Sequence, residues 1–313
     1  MNIMMVGHSR AGKTAFMAAM YKYLGEDKSG YGIHAEDTNQ RMNLKRMADN
    51  IVKGIYPNQT DMQSQYKFTF TIEGKDVMPF NWLDYRGGLL TSKNPTNKEQ
   101  EEFMTALKYA DALIVFLDGE KLSDPSSRWN NEYRMLISCI QGAIREQREY
   151  VYPICFVITK CDIYGDFSYG LTHFKPLFEQ IESAQHVEAM VLRSVVNKDC
   201  LVYPFAALSY CIFRGLPFYE KRRLSALEEA KKRYDSHKPE SLIGWIFAVI
   251  EEIARGTIEV LFDGGWNTEL DLANMAEKDI EREYAKLQLL GEVHEDLESK
   301  IIDWIKKDIL IHF

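Results

Sequence analysis

The chain reads Gly7-His8-Ser9-Arg10-Ala11-Gly12-Lys13-Thr14 near its start, which satisfies the spacing G-x-x-x-x-G-K-[ST]. The preceding residues 2–6 are apolar and predict a buried strand, and residues 13–24 have the composition of a helix. A glycine loop in this setting aims backbone N–H groups at phosphates, with the lysine on the β and γ phosphates and the threonine hydroxyl on Mg²⁺. The sequence therefore predicts a nucleotide site that includes Arg10, Ala11, Gly12, Lys13 and Thr14.

Three near-continuous apolar runs follow along the chain, at residues 112–117, 152–158 and 201–208. Such runs are typical of strands that are buried on both faces of a mostly parallel sheet. Helical stretches at residues 131–147 and 174–192 separate them. This alternation predicts an α/β fold, namely a three-layer P-loop sandwich with a doubly wound sheet.

The second phosphate-binding signal follows a predicted hairpin at residues 66–72 and 77–83, which adds one antiparallel strand to the sheet. Asp84 ends the hairpin and is placed to hold the hydrated Mg²⁺. Gly87 completes a D-x-x-G motif, and its free N–H can meet the γ phosphate. In this order after the P-loop, the motif supports binding of a nucleoside triphosphate.

The base is indicated by Thr159-Lys160-Cys161-Asp162, at the end of the second apolar run. Asp162 can accept hydrogen bonds from guanine N1–H and N2–H₂, which adenine does not offer in that geometry, while the Lys160 stem packs over the ring. We therefore expect GTP and GDP rather than adenine nucleotides. A short loop after the next predicted strand is expected to complete the site, with Ala207 N–H on guanine O6 and Leu208 beside it.

These motifs, in this order, resemble those of the Ras-like branch of the translation-factor-related P-loop GTPases, over about residues 2–253. The resemblance implies a Ras-like G domain in which Thr60 closes on Mg²⁺ and the γ phosphate. The segments 57–60 and 82–88 look most like the prokaryotic double-GTPase type, predicted components of bacterial conflict or signalling systems.

The resemblance also implies a division of the chain. A GTPase domain at residues 1–256 would carry a helical insertion at about 35–54, before switch I. The segment 240–247 looks like the last helix of Rag-type GTPases, so about 211–238 would be a second insertion. Residues 257–313 would then form a C-terminal helical extension.

The chain departs from the Ras-like pattern at Gly88, where those enzymes have a glutamine that orients the attacking water. Slow hydrolysis is therefore expected. Arg86 and Arg10 lie within reach of the expected γ phosphate, and either could neutralise transition-state charge, or both could be surface arginines. The main hypothesis is a slow GTPase switch; the alternative is a GTP-bound scaffold that does not hydrolyse GTP. The T-K-x-D motif disfavours an ATPase or kinase.

Composition limits the partners. Lys and Arg number 38 against 46 Asp and Glu, a net charge of −8, which disfavours nucleic acid and anionic membranes. The longest uncharged apolar run, residues 242–250, is too short to span a bilayer. Five cysteines without a C-x-x-C pair are typical of reduced thiols in a cytoplasmic protein. We expect an effector or regulatory protein at the switch regions, and a dimer through the switch face or the C-terminal helices is possible.

Overall fold

The computed structural model describes residues 1–26, 30–57, 64–85, 97–146, 150–197, 201–202, 205–236, 293–303 and 310–312. The chain divides into two compact units. The first contains Met1–Gly215 and Asp296–Phe313, and the second contains Leu216–Glu295. The boundary predicted near residue 256 lies outside the described residues, so the predicted domain limits stay a prediction.

The elements of the first unit follow one another in a mixed α/β order. Up to residue 109 they are β1 (Asn2–Gly7), α1 (Lys13–Glu26), β2 (Tyr31–Ala35), α2 (Thr38–Val52), β3 (Ser64–Ile72), β4 (Lys75–Asp84) and α3 (Asn97–Tyr109). They continue with β5 (Ala112–Asp118), α4 (Gly119–Leu122), α5 (Asn130–Ile144), β6 (Tyr152–Thr159), α6 (Ser168–Thr172), α7 (Lys175–Ser183) and β7 (Val187–Arg193). The last are β8 (Val195–Val196), β9 (Leu201–Val202), α8 (Ala206–Ser236), which runs on into the second unit, and β10 (Leu310–His312).

Among the described residues, eight strands form the main sheet, in the order β10-β7-β6-β5-β1-β4-β3-β2. The five central strands, β7, β6, β5, β1 and β4, pair in parallel. The strands β3, β2 and β10 are antiparallel to their neighbours. Because parallel strands end at one edge of a sheet, the carboxyl ends of β1, β4, β5, β6 and β7 lie together, where α/β proteins bind ligands.

Helices cover both faces of this sheet. Every residue of β5 and β6 is buried, as their unbroken apolar runs predict. Residues of α3, α5 and α7 share one core cluster with Val115 of β5 and Phe156 of β6. On the opposite face Phe16 of α1 packs edge-on against Phe116, with 5.2 Å between ring centroids. Since successive strand residues point to opposite faces, the architecture is the predicted three-layer α/β sandwich.

The hairpin and the helix before it are also confirmed. β3 and β4 are antiparallel neighbours joined at Glu73-Gly74, and α2 occupies most of the predicted stretch 35–52. The edge strand β2 was not predicted. It pairs with β3 and brings Tyr31 opposite Ile72.

Two predicted elements near the end of the first unit are wrong. Residues 174–192 are not one helix, because α7 ends at Ser183 and the chain continues as β7. Residues 201–208 are not the next buried strand of the sheet, because only the short β9 forms there and α8 begins at Ala206. A short apolar run fits a buried strand and a buried helix equally well, so periodicity alone did not distinguish them.

Four of the five cysteines lie among the described residues and are free thiols: Cys139, Cys155, Cys161 and Cys211. Burial raises the pKa of Cys139 to about 11. Within the part of the chain that the structure describes, no helix has the length and apolar character needed to cross a membrane.

Candidate functional site

The loop between β1 and α1 has a tightly constrained backbone. Gly12 has φ +87° and Arg10 has φ +65°, a conformation that costs a non-glycine residue energy. Gly7 is required for a different reason, since a Cβ there would lie 2.8 Å from the carbonyl oxygen of Phe116 on β5. The loop therefore curls closely over the end of the sheet, with the N-terminus of α1 behind it, which is the geometry of an anion site.

Lys13 lies across this loop rather than in solvent. Its Nζ donates to the carbonyl oxygens of Gly7 at 3.0 Å and His8 at 3.3 Å, and only 7% of the residue is exposed. Burial lowers the pKa of Lys13, while the nearby charge of Asp84 opposes that shift. The ammonium is therefore held against the loop that the sequence predicts to bind phosphate.

Asp84 is brought to the same place by the pairing of β4 with β1, which sets Met5 opposite Asp84. Thr14 Oγ1 donates to Asp84 Oδ2 at 3.3 Å. Asp84 is 1% exposed, and its Oδ1 is buried without a hydrogen-bond partner among the described residues. Burial raises the pKa of Asp84, against the opposing effects of Lys13 and Thr14.

This carboxylate fits a hydrated cation. A buried, unpaired carboxylate oxygen is costly unless a cation or its water shell satisfies it. Mg²⁺ keeps several waters and uses one or two carboxylates together with substrate phosphates. No cluster of three or more His, Cys, Asp or Glu that could bind a metal occurs among the described residues, so Thr14 and Asp84 would need phosphate oxygens as co-ligands.

The T-K-x-D segment meets the P-loop at the ends of β5 and β6. Thr159 Oγ1 lies 3.1 Å from Ala11 O and 3.3 Å from Leu117 O, so its hydroxyl joins the two loops. Lys160 has φ +58°, and its Nζ donates to Asp118 Oδ2 at 2.9 Å. The two segments that the sequence assigned to phosphate and base are thus adjacent.

Asp162 is supported by a residue that the sequence reasoning missed. Asn197 Nδ2 donates to Asp162 Oδ2 at 2.7 Å. Ser194, directly after β7, binds back to the same loop: its N–H donates to Ile158 O at 2.8 Å, and its carbonyl accepts from Cys161 N–H at 3.4 Å. The segment Ser194–Val196 therefore occupies the position expected for the loop after the next strand.

This placement corrects the assignment of Ala207 and Leu208. Both are buried in the first turn of α8, and the part of the pocket lining that the structure describes does not include them. The physical reason is the misassigned strand: the strand next to β6 is β7, which ends at Arg193.

A pocket of about 350 Å³ joins these segments. Its lining comprises residues 9–16, Tyr56, Pro57, Thr159, Lys160, Asp162, Ile163, Ser194 and Val196. Tyr56 and Ile163 are 50% and 69% exposed, so both present apolar surface at the pocket. Sequence reasoning missed both, although an aromatic residue directly before the Pro57-x-x-Thr segment was a usable signal.

Three predicted site residues, Thr60, Arg86 and Gly87, lie outside the described residues. Their assignments to Mg²⁺, transition-state charge and the γ phosphate stay predictions. The structure brings Arg10, Ala11, Gly12, Lys13, Thr14, Thr159, Lys160 and Asp162 into one pocket. Asp84 adjoins it through Thr14.

Comparison with known proteins gives one family match. The family model described as Double-GTPase 1 matches residues 4–153. No curated protein matches the sequence significantly.

Solved structures give matches of low identity. The signal recognition particle receptor SRb-GTP/SRX complex from Chaetomium thermophilum is 14% identical, with TM-score 0.40 over 62% of this chain and 90% of that one. The Arl6 BBS3 small GTPase from Trypanosoma brucei, with bound nucleotide analogue GppNp, is 14% identical. Its TM-score is 0.37, and the match covers 67% of this chain and 94% of that one. The G domain of the T. maritima FeoB iron transporter is 13% identical. Its TM-score is 0.29, and the match covers 61% of this chain and 86% of that one.

Proposed function

Because residues 4–153 match the Double-GTPase 1 family model, we propose that the protein has a Ras-like P-loop GTPase domain and is a Mg²⁺-dependent GTP switch. It hydrolyses GTP slowly to GDP and phosphate. One observation carries the proposal: the P-loop and the Thr159-Lys160-x-Asp162 loop line the same pocket, with the unpaired oxygen of Asp84 beside it.

Phosphate binding is assigned to the backbone N–H groups of the P-loop, the N-terminus of α1 and Lys13. The two carbonyl contacts of Lys13 are a resting position, because an ammonium with three donors binds a phosphate oxygen more strongly than a carbonyl. Phosphate would also compensate the desolvation that lowers the pKa of Lys13.

Thr14 and Asp84 would hold the Mg²⁺, Thr14 through its hydroxyl and Asp84 through the water shell. When bound, the ion neutralises charge on the β and γ phosphates. The hydrogen bond between the two side chains keeps the ligand set assembled, and Asp84 Oδ1 is left to accept from a water.

Guanine recognition is assigned to Asp162, which accepts from N1–H and the exocyclic amino group. Asn197 uses one lone pair of Oδ2 and fixes the plane of the carboxylate without saturating it. The segment Ser194–Val196 supplies backbone groups beside the base, and Tyr56 and Ile163 offer apolar contact to its ring or to the ribose.

Hydrolysis is expected to be slow because Gly88 offers no side chain to orient water. Two arginines are candidates for neutralising the charge that develops on the γ phosphate in the transition state. Arg10 is exposed, has φ +65° and lines the pocket. Arg86 is the second candidate. The segments around Thr60 and Arg86 would contact the γ phosphate and a partner protein.

The test begins with the nucleotide that purified protein releases on denaturation, followed by single-turnover conversion of GTP with Mg²⁺. We expect GDP and slow phosphate release, both lost in Lys13→Met. Lys22→Met is a matched control on the same helix, because Lys22 pairs with Asp49 at 3.1 Å and does not line the pocket.

Other outcomes separate the alternatives. Bound GTP that never turns over would replace the switch by the non-hydrolysing scaffold that Gly88 also allows. Adenine nucleotide, or no nucleotide binding at all, would contradict the proposal.

A further inference from the structure

We propose that Asp118 is a positioning residue for base selectivity, because its buried carboxylate fixes Lys160 and thereby the loop that carries Asp162. Asp118 lines no part of the nucleotide pocket that the structure describes, so it acts through other residues. The inference rests on the proposed function, since it concerns how the same site chooses its base.

Both oxygens of the carboxylate are used. Asp118 ends β5 and is 6% exposed. Its Oδ1 accepts from the N–H of Glu120 at 3.1 Å and caps α4, while its Oδ2 accepts from Lys160 Nζ at 2.9 Å. Because a short helix holds one oxygen, the other has a fixed position from which to hold Lys160.

Lys160 needs such a restraint. It has φ +58°, a conformation that an L-residue rarely adopts without compensation. Its carbonyl accepts from the N–H groups of Ile163 and Tyr164, both at 3.1 Å, and so closes the turn that contains Asp162. A change in Lys160 would therefore shift Asp162 relative to the base.

The ends of β5 and β6 touch at further points. A Cβ on Gly119 would lie 2.4 Å from the carbonyl oxygen of Thr159, so the two turns are in close backbone contact. Thr159 Oγ1 also lies 3.3 Å from Leu117 O. The β5 end thus supports the base loop at Thr159 and at Lys160 independently.

The charges around Lys160 agree with a structural use of its ammonium. Glu120 Oε2 lies 3.2 Å from the same Nζ, so two carboxylates face one cation. Burial alone lowers the pKa of Lys160, but the hydrogen bonds and charges of Asp118 and Glu120 outweigh it and raise the pKa. Lys160 therefore stays charged and paired.

The test compares the affinities of GDP and inosine diphosphate, which lacks the exocyclic amino group that Asp162 would read. Asp118→Asn keeps the helix cap through its amide oxygen but removes the charge that holds Lys160. We expect GDP affinity to fall about tenfold, the equivalent of one charge-assisted hydrogen bond, and inosine diphosphate affinity to fall much less. The GDP preference would shrink accordingly.

Asp111→Asn is the matched control. Asp111 directly precedes β5 at its opposite end, where it accepts from Asn2 N–H at 2.7 Å and Tyr150 Oη at 3.2 Å. The loss of the Asp111 charge shows whether general damage to β5 changes base selectivity. We expect the preference for GDP over inosine diphosphate to stay unchanged in this variant.

A second variant covers failure of Asp118→Asn to fold. Lys160→Met removes the same ion pair by changing its other partner, whose side chain is 30% exposed and tolerates substitution better. It should also shrink the GDP preference. In the double variant the two losses should not add, because they break one interaction.

The outcomes are distinguishable. Equal loss of both diphosphates in Asp118→Asn, or full additivity with Lys160→Met, would overturn the positioning role and leave the proposed function standing. A wild-type protein that does not prefer GDP to ADP would overturn the proposed function, and the role of Asp118 with it.

Discussion

Thr14 and Asp84 are 70 positions apart in the sequence, yet the hydroxyl of Thr14 donates to Oδ2 of Asp84 at 3.3 Å. The contact follows from the sheet, since β1 leads into α1 with Thr14 and the paired β4 ends at Asp84. It leaves Oδ1 buried and unpaired. The charge of Lys13 and the hydrogen bond from Thr14 therefore compensate Asp84 only in part, since Oδ1 has no hydrogen-bond partner among the described residues.

Asp84→Asn tests that charge. We expect the variant to lose about 10- to 100-fold in Mg²⁺-dependent GTP affinity, because the water shell loses its carboxylate. Its free energy of unfolding without nucleotide should rise at neutral pH. Burial raises the pKa of Asp84 in the folded state. The protonated carboxyl therefore contributes to stability at low pH, and this contribution is lost as the pH rises and the carboxyl ionises. The neutral amide avoids that loss.

Titration calorimetry with and without Mg²⁺, and denaturant unfolding of the nucleotide-free protein, measure the two effects. Asp76→Asn, at the exposed opposite end of β4, should change neither. Unchanged Mg²⁺ dependence in Asp84→Asn would contradict the assignment.

Asp162→Asn tests the base. The amide places a donor against guanine N1–H, so GDP affinity should fall by about 100-fold or more, while xanthosine diphosphate should gain affinity. Competition binding with both diphosphates measures the exchange. If GDP affinity stays at the wild-type value, Asp162 does not read the base.

His8 predicts acid sensitivity. Its Nε2 lies 2.8 Å from the carbonyl of Glu132, so Nε2 carries the hydrogen, and burial lowers the pKa of His8 to about 4 despite the opposing charge of Glu132. Because the pKa of His8 is lower in the folded state than its unfolded value of 6.5, neutral His8 stabilises the fold at pH values above 6.5. This contribution is lost as the pH falls from 6.5 toward about 4. A shift of this size corresponds to about 3 kcal/mol.

Denaturant unfolding across this pH range checks the effect. His8→Gln should show a flatter pH dependence than the wild type, because its amide keeps a donor for the carbonyl but does not titrate. His186→Gln is the matched control, since the ring of His186 also binds a carbonyl, that of Ile144 at 3.0 Å. A wild-type pH profile in His8→Gln would exclude His8 as the source.

Gly7→Ala tests the close approach of the P-loop to β5. The new Cβ would lie 2.8 Å from Phe116 O and 2.9 Å from Phe116 Cβ, and neither central strand can shift freely. We expect a loss of about 1–3 kcal/mol in the free energy of unfolding. Gly25→Ala in α1, with no atom within 4 Å of its Cβ, should be neutral or stabilising. Equal melting temperatures for both variants would contradict the crowding argument.

The sequence predicted the parts of the fold that depend on strong local patterns. The P-loop needs its glycines at fixed positions, and the buried strands β5 and β6 are unbroken apolar runs. Both follow directly from backbone sterics and burial. The placement of Lys13, Thr14 and Asp84 followed from these elements and the order of the motifs.

The errors arose where local patterns are ambiguous. The sequence pattern predicts a helix where β7, which includes Glu188, forms. It predicts a strand at residues 201–208, where α8 begins at Ala206. That mistake placed the predicted base loop at Ala207, whereas the pocket lining contains Ser194 and Val196. Asn197 and Asp118 were missed because their partners, Asp162 and Lys160, are 35 and 42 positions away, and no short motif records such pairs.

The return of the chain to its first unit affects the order in which that unit can be completed during synthesis. The chain leaves the unit at Gly215 and re-enters it at Asp296, and β10 then pairs with β7. Until residues 310–312 leave the ribosome, the outer edge of β7 exposes N–H and C=O groups that β10 would otherwise pair. A nascent chain stalled within 216–295 would therefore present an open sheet edge to other chains, which is a recognised route to misassembly.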